Sequence, residues 1–267
     1  YAETNQEVID TIIMCYRLCE QEDILLPAMI NEDAFFLSHT SEVVDIPEIE
    51  DVKKFLPDFD PPYKLDPDDP HGFGSLSMPD QWYMELRYNI ADAMDLAYAR
   101  FPEVEKEFEA VFGRTHGGVM DEYMTEDAEL VLLCAGTAAS TTREVVDRMR
   151  KEGHKVGLAR MRMFRPFPVN EVRALGARVK ALGVMDRSYC FGYEGAFYTE
   201  VKGALYDLKD RPAMKNYIIG IGGRDITVDH IHALFADLEK VAAGDRDKEV
   251  EWIDLKGEQI APRWGVK

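Results

Sequence analysis

The apolar positions of this chain change their period from one stretch to the next. Near the start, Thr4 and Glu7 fit an S/T-x-x-E capping box ahead of Val8, Ile9, Ile12, Ile13 and Tyr16. That pattern predicts an amphipathic helix lying against a sheet. Ile24–Ile30 reads as a short buried strand interrupted by Pro27, and Ala34–Leu37 supplies another apolar run before Ser38, His39 and Thr40. One helix and fragments of strand do not close a layered α/β domain, so residues 1–60 read as the tail of a domain. The first residue is Tyr1, and the acidic, helix-like segment behind it has neither a basic start nor an apolar signal region, as expected of a chain that is cut and not exported.

Between Pro57 and Pro79 the prolines at 57, 61, 62, 67, 70 and 79 forbid a continuous helix or a central strand. A long helix is predicted after Pro79, with Trp82, Leu86, Ile90, Met94 and Ala97 near helical spacing and the acidic run around Glu103–Glu109 continuing or closing it. Residues 61–118 thus read as a connector and a long helix.

Beyond Gly117 and Gly118 the pattern alternates. Strands are predicted at Glu129–Ala135, Lys155–Phe164, Lys180–Asp186 and Asn216–Ile221. Helices separate them: one from a Thr141/Glu144 capping box to Gly153, one after Pro166 and Pro168, one aligning Phe197, Val201 and Leu205, and one aligning Ile231, Leu234, Phe235 and Leu238. Residues 119–267 therefore form an α/β domain with a doubly wound, mainly parallel sheet.

Charge and cysteine usage remove several classes of function. With 31 basic against 50 acidic side chains the net charge is −19, which argues against a nucleic-acid binder, since phosphate contacts need clustered Lys and Arg. The apolar runs fall short of the roughly 18 residues of a membrane span. Cys15, Cys19, Cys134 and Cys190 include no C-x-x-C pair, so any iron–sulfur cluster must sit on another chain. Cys15 and Cys19 share a helix face and read as a buried reduced pair.

Candidate chemistry gathers where doubly wound sheets place ligands, past the carboxyl ends of the strands. Arg162 and Arg165, Asp186 and Arg187, and Arg224 and Asp225 stand at or just past the ends of three of the predicted strands. Interleaved opposite charges there favour an ion-pair network holding domain or subunit contacts over an anion site. The Gly136–Ser140 turn lacks the Lys of a P-loop, and Gly220–Gly223 closes the last strand instead of the first, so neither makes a nucleotide loop. His39 and His116 stand apart from triad or metal spacings. His71, beside Asp69 and Gly72 in the proline-rich connector, is placed to line a cleft, which makes Asp69, His71 and Gly72 the candidates near substrate. No residue is assigned as catalytic, cofactor-binding or metal-ligating.

Residue runs in a fixed order carry a resemblance: YAETNQE from Tyr1, FFLSHTSE from Phe35, YKLDPDDP from Tyr63, WYMELRY from Trp82, EYMTEDAE from Glu122, FRPFP from Phe164, Asp186-Arg187 and GIGGRDIT from Gly220. The chain resembles the alpha subunit of pyruvate:ferredoxin oxidoreductases over nearly its whole length. The resemblance implies a fold ending a thiamine-binding α/β domain I and continuing into a domain II similar to the C-terminal domain of transketolases. It implies oxidative decarboxylation of a 2-oxoacid, pyruvate before others, with coenzyme A and ferredoxin, or the reverse synthesis. It further implies thiamine diphosphate and Mg2+ shared with a beta subunit, [4Fe-4S] clusters on gamma and delta or equivalent subunits, and a cytoplasmic location. The family's pyrimidine-gripping glutamate and substrate-binding arginine belong to segments upstream of Tyr1, so the isolated chain is expected to be inactive. An assembly module that kept the fold without catalysis is the alternative, and a flavodoxin-like or dinucleotide-binding protein suffers from the missing phosphate loop.

Overall fold

The computed structural model describes residues 1–74 and 76–256. They separate into two compact units: Tyr1–Asp121 with Ala135–Thr137 and Arg160–Pro168, and Glu122–Cys134 with Ala138–Ala159 and the residues from Val169 onward.

The first unit is built on three helices, α1 (Asn5–Cys19), α2 (Ile49–Phe55) and α3 (Tyr83–Phe112). Thr4 caps α1 by accepting from the Glu7 N–H, while the Glu7 carboxylate reaches back to the N–H of Glu3. The α1 face that turns inward is not the predicted one. Glu7, Asp10, Met14 and Leu18 are buried, whereas Ile12 and Tyr16 are 41% and 55% exposed, and the helix packs chiefly on α3. Met14 and Leu18 join Phe55, Ala97, Phe101, Val104 and Phe108 in one apolar cluster, with edge-to-face contact between Phe55 and Phe108 at 5.5 Å. Ile24–Ile30 forms no strand, because no neighbouring strand offers its backbone a ladder there. Among the described residues from 57 to 82 there is neither helix nor strand, as the prolines require.

The second unit contains most of a six-stranded sheet in the order β1-β3-β2-β4-β5-β6. Its strands are β1 (Met120–Tyr123), β2 (Leu130–Cys134), β3 (Val156–Met161), β4 (Ala181–Asp186), β5 (Ala213–Ile218) and β6 (Val250–Trp252). β2 runs parallel to β4, β4 to β5 and β5 to β6. Between them lie α4 (Ala138–Lys151), α5 (Val169–Gly176), α6 (Ala196–Leu205) and α7 (Val228–Ala242). A Cβ on Gly183 of β4 would meet Leu132, Tyr217 and Leu238 of α7. Its neighbours Leu182 and Val184 must point to the opposite face, and both are fully buried, so helices cover the sheet on both sides. α4 starts three residues before the predicted cap at Thr141, because Ala138 and Ala139 are buried in the core and continue its inward face. The edge strands β1 and β6 had no predicted counterpart; both are short, and of their residues only Met120 is buried.

Candidate functional site

Arg160 lies on β3 and Arg162 one residue past its end, and both meet the same carboxylate. Both are buried, at 3% and 7% exposure, and their charges are met by Glu7 from the first turns of α1. Arg160 Nη1 donates to Glu7 Oε2 at 2.6 Å and Arg162 Nε to Glu7 Oε1 at 2.6 Å. Glu3 and Asp121 lie 3.1 and 3.3 Å from Arg160 Nε, and Glu105 lies 2.9 Å from Arg162 Nη1. Backbone carbonyls of His116 and Gly118 take further guanidinium N–H groups. Burial pushes the Glu7 carboxyl up, but Arg160 and Arg162 outweigh it and hold the group below its ordinary range. One turn along, Asp10 is gripped bidentately by Arg114, with both contacts at 2.7 Å, and by His116 Nε2 at 2.8 Å. Against burial, these partners and Gln6 bring its carboxyl down to about 2.

This network contains one residue predicted as structural, Arg162, and several that sequence reasoning missed: Glu7, Asp10, Arg114, His116 and Arg160. A signal existed. Glu7, Asp10, Met14 and Leu18 recur at i, i+3, i+7 and i+11, a helical stripe as regular as the apolar one, and Arg160 and Arg162 alternate on one strand face. Arg165 lies over the Phe164 ring at 4.3 Å.

In the second unit, Asp186 ends β4 inside the protein. It accepts from the N–H groups of Phe197 and Tyr198 at 2.8 and 3.2 Å and from Asn216 Nδ2 at 2.8 Å, fastening the first turn of α6 to the sheet. Asn216 completes the clasp by accepting from the Gly195 N–H at 2.9 Å. Gly195 has to be glycine, since a Cβ there would come within 2.1 Å of the Asp186 carboxylate. Burial pushes the Asp186 carboxyl up to about 6, with the N–H donors pulling against it. Arg187 lies against Gly220. Arg224 contacts the carboxylate of Asp254 at 3.5 Å and its carbonyl oxygen. Together with exposed Asp225 and Lys256 and half-buried His230 it lines an open cleft of about 500 Å³ past the ends of β5 and β6.

The connector residues stand out in solvent: His71 Nε2 lies 3.2 Å from Asp69 Oδ2 with both side chains exposed, and a Cβ on Gly72 would meet nothing. Cys15 and Cys19 are half-buried, and burial raises the Cys15 thiol to about 11, which leaves it protonated and inert at neutral pH.

The first unit's buried carboxylates, Glu7 and Asp10, are both occupied by guanidinium groups, and neither offers an oxygen to an aminopyrimidine ring. A thiamine site is therefore not assembled by these groups. What the fold defines is a two-unit α/β chain with a doubly wound, mainly parallel sheet in its second part.

Comparison with known proteins gives that class a family. Residues 1–106 match the family described as "Pyruvate flavodoxin/ferredoxin oxidoreductase, thiamine diP-bdg", and residues 128–231 match "Pyruvate:ferredoxin oxidoreductase core domain II". The ketoisovalerate oxidoreductase subunit VorA of Pyrococcus horikoshii is 46% identical over 96% of this chain and 65% of its own length. The pyruvate synthase subunit PorA of Methanothermobacter thermautotrophicus is 40% identical over 97% of this chain and 64% of its own. Both matched segments belong to the pyruvate:ferredoxin oxidoreductase family, and the chain spans 65% of the length of the first of these relatives. Among solved structures, a split-gene transketolase, described as an inactive beta4 tetramer, aligns over 56% of this chain and 55% of its own with 12% identity and a TM-score of 0.40. No helix among the described residues is long and apolar enough to cross a membrane.

Proposed function

We propose that this chain is the alpha-subunit portion of a thiamine-diphosphate-dependent enzyme that converts a 2-oxoacid and coenzyme A to an acyl-CoA, carbon dioxide and reduced ferredoxin, or runs the reverse synthesis. The observation that carries the proposal is the 40–46% identity to pyruvate synthase and ketoisovalerate oxidoreductase subunits over nearly all of this chain. Pyruvate and the branched-chain ketoisovalerate are the substrates those names support.

In this reading the chain works in the cytoplasm with a beta subunit that holds the diphosphate and Mg2+, with gamma and delta or equivalent subunits that carry [4Fe-4S] clusters, and with ferredoxin as electron acceptor. Thiamine diphosphate supplies the carbanion chemistry when bound. Residues 1–60 close domain I, 61–118 connect, and 119–267 form domain II, whose work is assembly. Arg162, Arg165, Asp186, Arg187, Arg224 and Asp225 act structurally, in keeping with the ion pairs and backbone contacts of Arg162, Asp186 and Arg224. Asp69, His71 and Gly72 stand beside the active site that partner chains complete, where His71 orients or shields substrate.

The complex recovered from cells through a tag on this protein tests the proposal. It is expected to contain a thiamine-binding chain and a cluster-bearing chain, and to reduce ferredoxin in a coenzyme A-dependent reaction with pyruvate or ketoisovalerate. Recovery of the protein without such partners, or with partners but no oxoacid-dependent reduction, sinks it. In the active complex His71→Ala should raise KM for the oxoacid more than it lowers kcat.

A further inference from the structure

Helix α3 carries a single apolar stripe along its whole length. From the N-cap residue Trp82 through Leu86, Ile90, Ala93, Ala97, Phe101, Val104 and Phe108 the steps are four, four, three, four, four, three and four residues. At about 100° per residue all eight positions fall within roughly 100° of arc. The second part of the stripe is core: Ala93, Ala97, Phe101, Val104 and Phe108 are at most 8% exposed. Its first part runs out from under that cover, with Trp82 75% and Leu86 50% exposed and Tyr83 beside them at 55%. Nothing between Tyr83 and Asp92 is buried. The far side of the same turns is apolar too, with Met84 at 81% and Tyr88 at 70% exposure.

An isolated segment of about ten helical residues gains too little from its own hydrogen bonds to be stable in water and depends on packing for its helicity. Contiguous aromatic and aliphatic side chains on such a segment mark an interaction surface, with Trp and Tyr as its preferred anchors. The flanking charge identifies the kind of occupant. Asp80, Glu85, Asp92 and Asp95 face a single cation, Arg87, over these turns. A second copy of the chain would oppose acid to acid, which costs affinity, whereas a chain with an apolar groove rimmed by Lys and Arg complements both features.

We propose that the first turns of α3, Trp82–Ile90, are the helix through which this protein docks in an apolar, basic-rimmed groove of a different polypeptide of its complex. This rests on the multisubunit reading above, so its test is made in the complex itself. Recovery of partner chains with the unaltered protein secures that reading independently of the helix.

A photoreactive benzoylphenylalanine placed at position 86 should then crosslink to a partner chain, at a peptide carrying Lys or Arg. The double variant Trp82→Glu/Leu86→Glu should lower recovery of partner chains by about tenfold or more, the scale of an interface hot spot. Val43→Ser, which alters an equally exposed apolar residue elsewhere, should leave recovery unchanged. The melting temperature of each purified variant separates lost docking from lost folding. Crosslinking to a second copy, to another part of the same chain, or to nothing in an intact complex overturns the proposal, as does undiminished recovery of partners with the folded double variant.

Discussion

The two units solve the problem of a protein interior by different physics. In the second, the interior is aliphatic: Leu132, Leu158, Leu182 and Val184 sit on adjacent strands with no measurable exposure, and α4 and α7 press further apolar side chains onto Leu132 and Leu158. In the first, the face of α1 that turns inward carries Glu7 and Asp10, and the apolar cluster of Met14, Leu18 and Phe108 is flanked by a buried network of Arg114, Arg160 and Arg162. Apolar packing is non-directional and tolerates small rearrangement, while buried charges are stable only when every partner is present. The second unit also buries a cation, Lys215, and answers it in the same way, with Asp237, Glu251 and Asp247 at 2.8, 2.6 and 3.3 Å. The comparison teaches that a buried charge fixes geometry through its partners, whereas an aliphatic core supplies the net free energy of folding.

The sharpest way to break the comparison is Glu7→Ala, which removes the carboxylate shared by two guanidinium groups that are 3% and 7% exposed. Loss of a partner from a buried pair costs about 3–5 kcal/mol, to be read from denaturant midpoints. A loss below about 1 kcal/mol would show that water reaches the network. Leu158→Ala, in the aliphatic interior of the sheet, should cost about 2–5 kcal/mol through lost transfer energy and the cavity left behind.

A smaller effect separates the units by pH. The Asp10 carboxyl titrates near 2 in the folded chain against an ordinary value of 3.8. Because the folded pKa is the lower one, its contribution is complete above about pH 4 and is lost as pH falls toward 2, a change on the order of 2 kcal/mol. Unfolding curves at pH 5 and pH 3 on the protein and on Arg114→Met should show a shallower dependence in the variant; parallel curves would remove Asp10 from the account. The smallest effect belongs to an exposed pair, Arg148 and Glu144 on α4 at 2.7 Å, where Arg148→Ala should change stability by less than about 0.5 kcal/mol.

Much of the second unit was legible because its signals are local. Four strands and four helices follow from alternating runs bounded by glycine and proline, and two of those strands, β2 and β4, start and end within one residue of their predicted bounds. β1 and β6 were not legible: four and three residues long, they carry too few buried positions for a period to emerge. In the first unit the long helix after the prolines was readable from Trp82 to Ala97, but its division into a buried and an exposed part was not, since both parts share one stripe. Of the candidate residues, Arg162 and Asp186 lie in the interior and Asp69, His71 and Asp225 at the surface, a difference that no local pattern around them encodes.

The sequence by itself determined the four helices and four central strands of the second part and hence its α/β sheet, because these depend on residues within a few positions of one another. Only the tertiary structure decided which face of α1 is inside. Glu7 and Asp10 are buried because Arg114, Arg160 and Arg162 arrive from more than a hundred residues away to neutralise them. With those partners in place the carboxylates become interior groups and Ile12 and Tyr16 turn outward, the reverse of what hydrophobicity along one helix predicts, since the cost of burying a charge is set by what it meets there.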